Sequence, residues 1–168
     1  VVPVLLNPKL GTNALRFILR DSNSRAVFAD LDETPVFAEL AAECDIPHRL
    51  AHRTASGPWL DWPALCTAAK PNAHVEPMQF DEQAFQPYTA GSTGMPKGIV
   101  MSHGGMLWGI EHSHANWPVT PDTRAIVAAP LFHKNAMRGT VKRMLRGGAS
   151  FVIQARFNAR EYLGALDR

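Results

Sequence analysis

The stretch Tyr88-Thr89-Ala90-Gly91-Ser92-Thr93-Gly94-Met95-Pro96-Lys97-Gly98 packs three glycines, three aliphatic hydroxyls and one lysine into eleven positions. Glycine lacks a Cβ, so it lets backbone N–H groups crowd around a ligand and adopts φ > 0 at little cost. Hydroxyls add short-range donors, and a lysine ammonium is a compact charge that accepts several geometries. Together they suit a polyphosphate. Charge-assisted hydrogen bonds contribute roughly 1.5–3 kcal/mol each, so a few of them hold a triphosphate tail. Such a loop belongs between a strand and the next element of an α/β protein, and the flanking sequence reads that way. Residues 84–89 form a strand-like run into the loop and residues 99–102 one out of it, followed by a helical pattern over 104–116.

Two better-known glycine motifs do not fit. In a Walker A loop, counted from Gly91, the second glycine falls at position 96, which is Pro96. Gly98 stands where the Mg²⁺-binding Ser or Thr would follow the lysine. Ala90 to Gly94 reads A-x-S-x-G, a relaxed nucleophile elbow with Ser92 as nucleophile. His103-Gly104-Gly105 has the look of an oxyanion-hole sequence, but it follows the serine, whereas in those hydrolases it precedes it. Two alternatives stay open on the residues alone: a serine hydrolase built on Ser92, and a nucleotide- or phosphate-binding module without chemistry.

Outward from the loop, helices and strands alternate. Residues 1–6 read as a buried strand, 14–20 as a helix after Thr12, 25–30 as a strand, and Pro35 suits the first turn of a helix to about 43. Four prolines punctuate 46–72, which reads as loops with one short helix over 62–69. Beyond the loop, 124–131 reads as a buried strand, 136–145 as a helix closed by Gly147-Gly148, 149–154 as a strand, and Asn158 to Glu161 has capping-box spacing before a last helix. The alternation predicts an α/β fold, a mainly parallel sheet layered with helices.

Composition excludes several classes. The 168 residues carry 46% hydrophobic and 19% charged side chains with a net charge of +2. Lys142, Arg143 and Arg146 read as a solvated helix face, and no clustered basic stripe supports nucleic-acid binding. No apolar run reaches the roughly 18 residues of a membrane span. Cys44 and Cys66 have no metal or redox spacing, read as buried small hydrophobes, and suit a reducing, cytoplasmic setting. Residues 111–114, Glu-His-Ser-His, do not share one helix face, so no metal site is expected. Met106 and Trp108 read as core, and His103 as the cap of its helix.

The loop resembles the phosphate-binding signature Y-T-S-G-[ST]-T-G-x-P-K-G of the adenylate-forming superfamily, which holds acyl-CoA synthetases, luciferases and the adenylation domains of peptide synthetases. The chain departs from it only at Ala90, where Ser is commoner. Further similarity lies in the Val4 to Leu10 strand and turn, in Arg16-Phe17-Ile18-Leu19-Arg20-Asp21-Ser22, in Ala129-Pro130-Leu131-Phe132-His133 and in Gly147-Gly148-Ala149. The resemblance implies a partial N-terminal AMP-binding domain over residues 1–168. It implies ATP, Mg²⁺ and coenzyme A as cofactors, and a fatty or aryl carboxylic acid as substrate. It assigns Thr89, Ala90, Gly91, Ser92, Thr93, Gly94 and Lys97 to the β- and γ-phosphates, and Lys97 and His133 to catalysis, His133 at the acyl and adenylate site; Lys134 beside it reads as solvated. The stretch 130–137 looks more like acyl- or aryl-CoA ligases than peptide-synthetase domains. An adenine-binding aromatic motif, a Mg²⁺-binding Glu, a ribose-binding Asp and the catalytic Lys of a C-terminal domain are expected beyond Arg168. The 168 residues alone are expected to have little activity, and to self-associate through uncovered sheet edges.

Overall fold

The computed structural model describes residues 1–89, 94–133 and 135–166. Contacts divide the chain into two units, one formed by Val1–Asn7, Met78–Pro87 and Val100–Arg168, the other by Pro8–Pro77 and Tyr88–Ile99.

The Pro8–Pro77 unit is built on three parallel strands, β1 (Ala26–Ala29), β2 (His48–Ala51) and β3 (Leu60–Asp61), in that order. Ala26 pairs with His48 and Leu50 with Leu60. Helices α1 (Thr12–Asp21), α2 (Val36–Glu43) and α3 (Trp62–Ala68) alternate with them. The apolar stripe of α1 buries Leu15, Ile18 and Leu19, and α2 buries Phe37, Leu40 and Ala41. Val27 and Ala29 complete this core from β1, while Phe28, pointing to the other face, stays 55% exposed against Trp62. Burying one such leucine contributes about 1.5–3 kcal/mol. Pro35 immediately precedes α2 as expected, and Asp61 caps α3 by accepting from the Ala64 N–H at 2.9 Å. Both α1 and α2 end in Schellman turns. Asn23 (φ 48°) and Asp45 (φ 50°) occupy the left-handed position usually taken by glycine, and the following Ser24 and Ile46 amides reach back to Leu19 and Ala41. Arg16 bonds Glu43 at 2.6 Å, and Arg20 reaches the Glu43 carbonyl at 3.3 Å, tying α1 to the end of α2.

The other unit holds the antiparallel pair β4 (Gln83–Phe85) with β7 (Met101–Ser102), and the parallel pair β8 (Arg124–Val127) with β9 (Ser150–Ile153). Helix α4 (His103–Asn116) packs on β4 and β7, and on α5 (Lys142–Arg146). A π-helical segment, Asn135–Val141, leads into α5, and α6 (Ala159–Leu166) follows β9. Val127, Ala136 and Val141 form a core cluster with Leu131, Met137 and Phe151 against it. Gly147 lies so close to Val119 that a Cβ there would sit 2.5 Å from the Val119 carbonyl oxygen. Gly148 (φ +67°) then closes α5 with its own Schellman pair, Gly148 N–H to Leu145 and Ala149 N–H to Met144. Asn158 Oδ1 caps α6 by accepting from Arg160 and Glu161 amides.

Several expectations change. Residues 1–6 are irregular, with Val1 to Pro3 exposed; Pro3 lacks an N–H, and its carbonyl accepts one bond, from Gln86. The run 46–72 holds two strands as well as the helix; Pro47 and the polar His48-Arg49 hid β2. The expected strand over 84–89 breaks at Pro87, which cannot donate to a ladder. That over 124–131 ends at Val127, ahead of Pro130. The helix over 136–145 is π-helical in its first part, where Gly139 and the β-branched Thr140 weaken the α-helical alternative. Ser102, not His103, caps α4: its Oγ accepts from the Gly105 N–H at 3.1 Å. Trp108 is not core but 67% exposed, stacked on His112 one turn away at 5.0 Å. Cys66 is exposed and Cys44 half-buried. Lys142 and Arg146 of α5 are engaged rather than solvated, while the Arg143 Nε is buried with no hydrogen-bond partner among the described residues. Arg146 forks onto Glu111, and the Lys142 ammonium lies 4.8 Å from the Phe85 ring centre.

Candidate functional site

The flanks of the glycine-rich stretch pair with each other. Strand β5 (Tyr88–Thr89) pairs antiparallel with β6 (Lys97–Gly98), Tyr88 opposite Gly98 and Thr89 opposite Lys97. The expected strand over 84–89 includes β5, but the expected outgoing strand over 99–102 forms only at Met101–Ser102, and β6 lies within the glycine-rich motif itself, where the sequence gives no strand signal. Directly opposed residues share a face of the ribbon, with Cβ atoms roughly 4.5–5.5 Å apart. The Thr89 hydroxyl and the Lys97 ammonium therefore project from the same side, and both residues are exposed. Tyr88 projects from the opposite side, where its hydroxyl donates to Asp21 Oδ2 at 2.5 Å. Pro96, ahead of the lysine, is buried, fixing the backbone that carries Lys97. Gly94 has φ +96°, a conformation that a side chain would strain, and beyond its chain neighbours no atom of the described residues lies within 4 Å of where its Cβ would stand. The expected contacts Ala90, Gly91, Ser92 and Thr93 lie outside the described residues.

Donors dominate this face. No carboxylate occurs between Tyr88 and Gly98, so the charge of the loop suits an anion. Among the described residues no group of three His, Cys, Asp or Glu side chains gathers to hold a metal ion, the 111–114 stretch included. Glu111 is instead held below the usual carboxylate range by the hydrogen bond from Arg146.

His133 belongs to the other unit, in the turn after β8. It is exposed, its N–H donates to Pro130 O at 2.9 Å, and its carbonyl accepts from Ala136 and Met137 where the π-helical segment starts. The Asn135 N–H donates to His133 Nδ1 at 3.3 Å. With Nδ1 accepting, the neutral ring carries its proton on Nε2, ready to donate to an oxygen. π-helical turns are rare and recur beside functional sites. Lys134 lies outside the described residues. Asp21 was not foreseen as a partner of Tyr88; the available signal was an acidic residue in the last turn of α1, where the helix dipole disfavours it.

The model of the AMP-binding enzyme family matches residues 1–168. The chain belongs to that family. Feruloyl-CoA synthase from Amycolatopsis sp is 31% identical over 166 residues, covering 98% of this chain and 31% of that protein. A 4-hydroxybenzoate–CoA/benzoate–CoA ligase from Rhodopseudomonas palustris is 38% identical over 106 residues, 61% of this chain and 19% of its own length. Among solved structures, o-succinylbenzoate CoA synthetase from Bacillus subtilis in complex with its acyl-adenylate intermediate superimposes with a TM-score of 0.77 at 28% identity, covering 100% of this chain and 40% of that one. The same enzyme has been solved with ATP and magnesium ion and, as a double mutant, with a product analogue. This AMP-binding chain thus spans about a third of the length of such full-coverage relatives. Its α/β architecture is that of their N-terminal domains. No helix among the described residues is long and apolar enough to cross a membrane.

Proposed function

We propose that this chain supplies the polyphosphate-gripping part of an acid–thiol ligase. In that reaction a carboxylate oxygen attacks the α-phosphorus of ATP, the bond to the β-phosphate oxygen breaks, and an acyl-adenylate and pyrophosphate result. The thiol of coenzyme A then displaces AMP from the acyl carbon. The observation that carries this reading is the cross-strand pair Thr89–Lys97 on one exposed face of the ribbon. Negative charge accumulates on the departing pyrophosphate, and the hydroxyls of Thr89, Ser92 and Thr93, the loop amides from Ala90 to Gly94, and the Lys97 ammonium stabilise it. Lys97 contributes most, since it alone in the loop brings a full positive charge. Mg²⁺ carried in with ATP would neutralise much of the remainder.

His133 acts on the acyl side. Its ring is oriented by the Asn135 amide, and Nε2–H is the donor toward a carboxylate or adenylate oxygen. The acid is aryl or fatty; CoA ligases acting on 4-hydroxybenzoate and benzoate, 3-hydroxybenzoate, and long-chain fatty acids stand among the relatives. The setting is cytoplasmic, in keeping with two free cysteines.

We read the 168 residues by themselves as holding the phosphate loop and part of the acyl pocket without adenylation turnover, a reading supported by their spanning about a third of their relatives' length. ATP–pyrophosphate exchange with benzoate, 4-hydroxybenzoate and palmitate tests both parts. Exchange is expected to be absent from the 168-residue chain while pyrophosphate binding persists. Robust exchange by this chain alone contradicts the incomplete-domain reading.

A further inference from the structure

We propose that Asp21 and Tyr88 form a positioning pair that sets where the Thr89–Lys97 face of the β5–β6 ribbon stands; the inference rests on the polyphosphate reading of the loop those strands flank. Asp21 is the last residue of α1. A carboxylate at a helix C-terminus opposes the helix dipole, so α1 gains nothing from it. Its use lies 67 residues away, where Oδ2 accepts a 2.5 Å bond from the Tyr88 hydroxyl. A bond from a neutral hydroxyl to an ionised carboxylate is short and about twice as strong as a neutral one.

The anchor is rigid. Leu15, Ile18 and Leu19 fix α1 in the core, and Arg16 bonds Glu43 of α2. Tyr88 immediately precedes Thr89, and its cross-strand partner Gly98 immediately follows Lys97. Alternation along the strand sends the Tyr88 side chain to one face of the ribbon and those of Thr89 and Lys97 to the other. The bond therefore holds the back of the ribbon to α1 and leaves the donor face free. Asp21 is exposed and Tyr88 half-buried, so losing their contact should cost little stability; the ladder sets Thr89 opposite Lys97, and the bond to α1 fixes where that face stands.

The test is the dissociation constant of inorganic pyrophosphate for the 168-residue chain, measured by calorimetry beside the melting temperature. Tyr88→Phe leaves every charge in place and is the decisive variant. It is expected to weaken binding about tenfold, in line with losing one charge-assisted bond, without moving the melting temperature by more than about 2 °C. Asp21→Asn keeps an acceptor oxygen and retains most of the affinity. In Asp21→Ala/Tyr88→Phe the loss is no larger than in Tyr88→Phe, because the pair acts as a unit. Unchanged affinity in Tyr88→Phe, or a lower melting temperature with unchanged affinity, overturns the positioning role and leaves the loop reading intact. Absence of pyrophosphate binding to the unsubstituted chain overturns both.

Discussion

Thr89 and Lys97 stand directly opposite each other across the β5–β6 ladder. That register turns two donors eight positions apart in sequence into neighbours on one exposed face. Lys97→Ala is therefore expected to weaken pyrophosphate binding by about 10- to 100-fold, the range of one charge-assisted contact. Lys97→Arg keeps the charge but not the compact ammonium, and should fall between the two. Thr89→Val, nearly isosteric, should cost about five- to tenfold through the lost hydroxyl alone. Equal affinity in Lys97→Ala and the unsubstituted chain would remove the lysine from the site.

Gly147 tests the packing of the β8–β9 unit. A Cβ at that position meets the Val119 carbonyl oxygen at 2.5 Å and Cγ1 at 2.7 Å, and the first of these is backbone. Gly147→Ala should destabilise the chain by about 1–3 kcal/mol in chemical denaturation. Asp45→Gly should act in the opposite sense. Asp45 holds φ 50° in the turn closing α2, where a side chain costs roughly 1–2 kcal/mol and glycine none. Allowing for glycine's freer unfolded state, a gain of about 0.5–1 kcal/mol is expected.

Three carboxylates are held below their usual range by an arginine hydrogen bond: Glu43 by Arg16, Glu111 by Arg146 and Asp30 by Arg53. A depressed carboxylate favours the folded state at pH values above its unfolded value of about 4, and that contribution disappears as pH falls through the lower folded value. Melting temperature should thus hold between neutrality and about pH 5, then drop toward pH 3. All three pairs are partly exposed, so 1 M salt should shrink the acid-dependent part. A melting temperature that rises on acidification would contradict these pairings.

Large apolar side chains remain uncovered in both units. Phe28, Leu60 and Trp62 are exposed on the β1–β3 side, and Val152, Ile153, Phe157, Leu163 and Leu166 around β9 and α6. Patches of this kind mark surfaces that another segment or chain covers. The 168-residue chain is expected to elute and scatter light as species larger than a monomer at tens of micromolar. A single monomeric species with a sharp cooperative melt would show that these faces tolerate water.

Much of the fold was legible because its signals are local. The stripe of Leu15, Ile18 and Leu19, the proline before α2 and the glycine pair after α5 each fix an element within a few residues. What was hidden depends on partners distant in sequence. Strand β2 reads as polar because only its placement between β1 and β3 gives His48-Arg49 a role in a sheet. Trp108 reads as core because a large aromatic usually is, and only the helix geometry stacks it outward on His112. The chemistry of the loop was written in its composition, while the pairing of its flanks with each other was not. The bond from Tyr88 to Asp21 spans 67 positions, beyond any motif.

The most direct measurement is a calorimetric comparison of pyrophosphate, ATP·Mg²⁺ and AMP as ligands of the 168-residue chain. A loop that grips the pyrophosphate end binds pyrophosphate and ATP with comparable affinity and AMP at least about tenfold more weakly, since AMP lacks the groups that Thr89 and Lys97 face. AMP binding as tightly as ATP, or no heat with pyrophosphate, would contradict it.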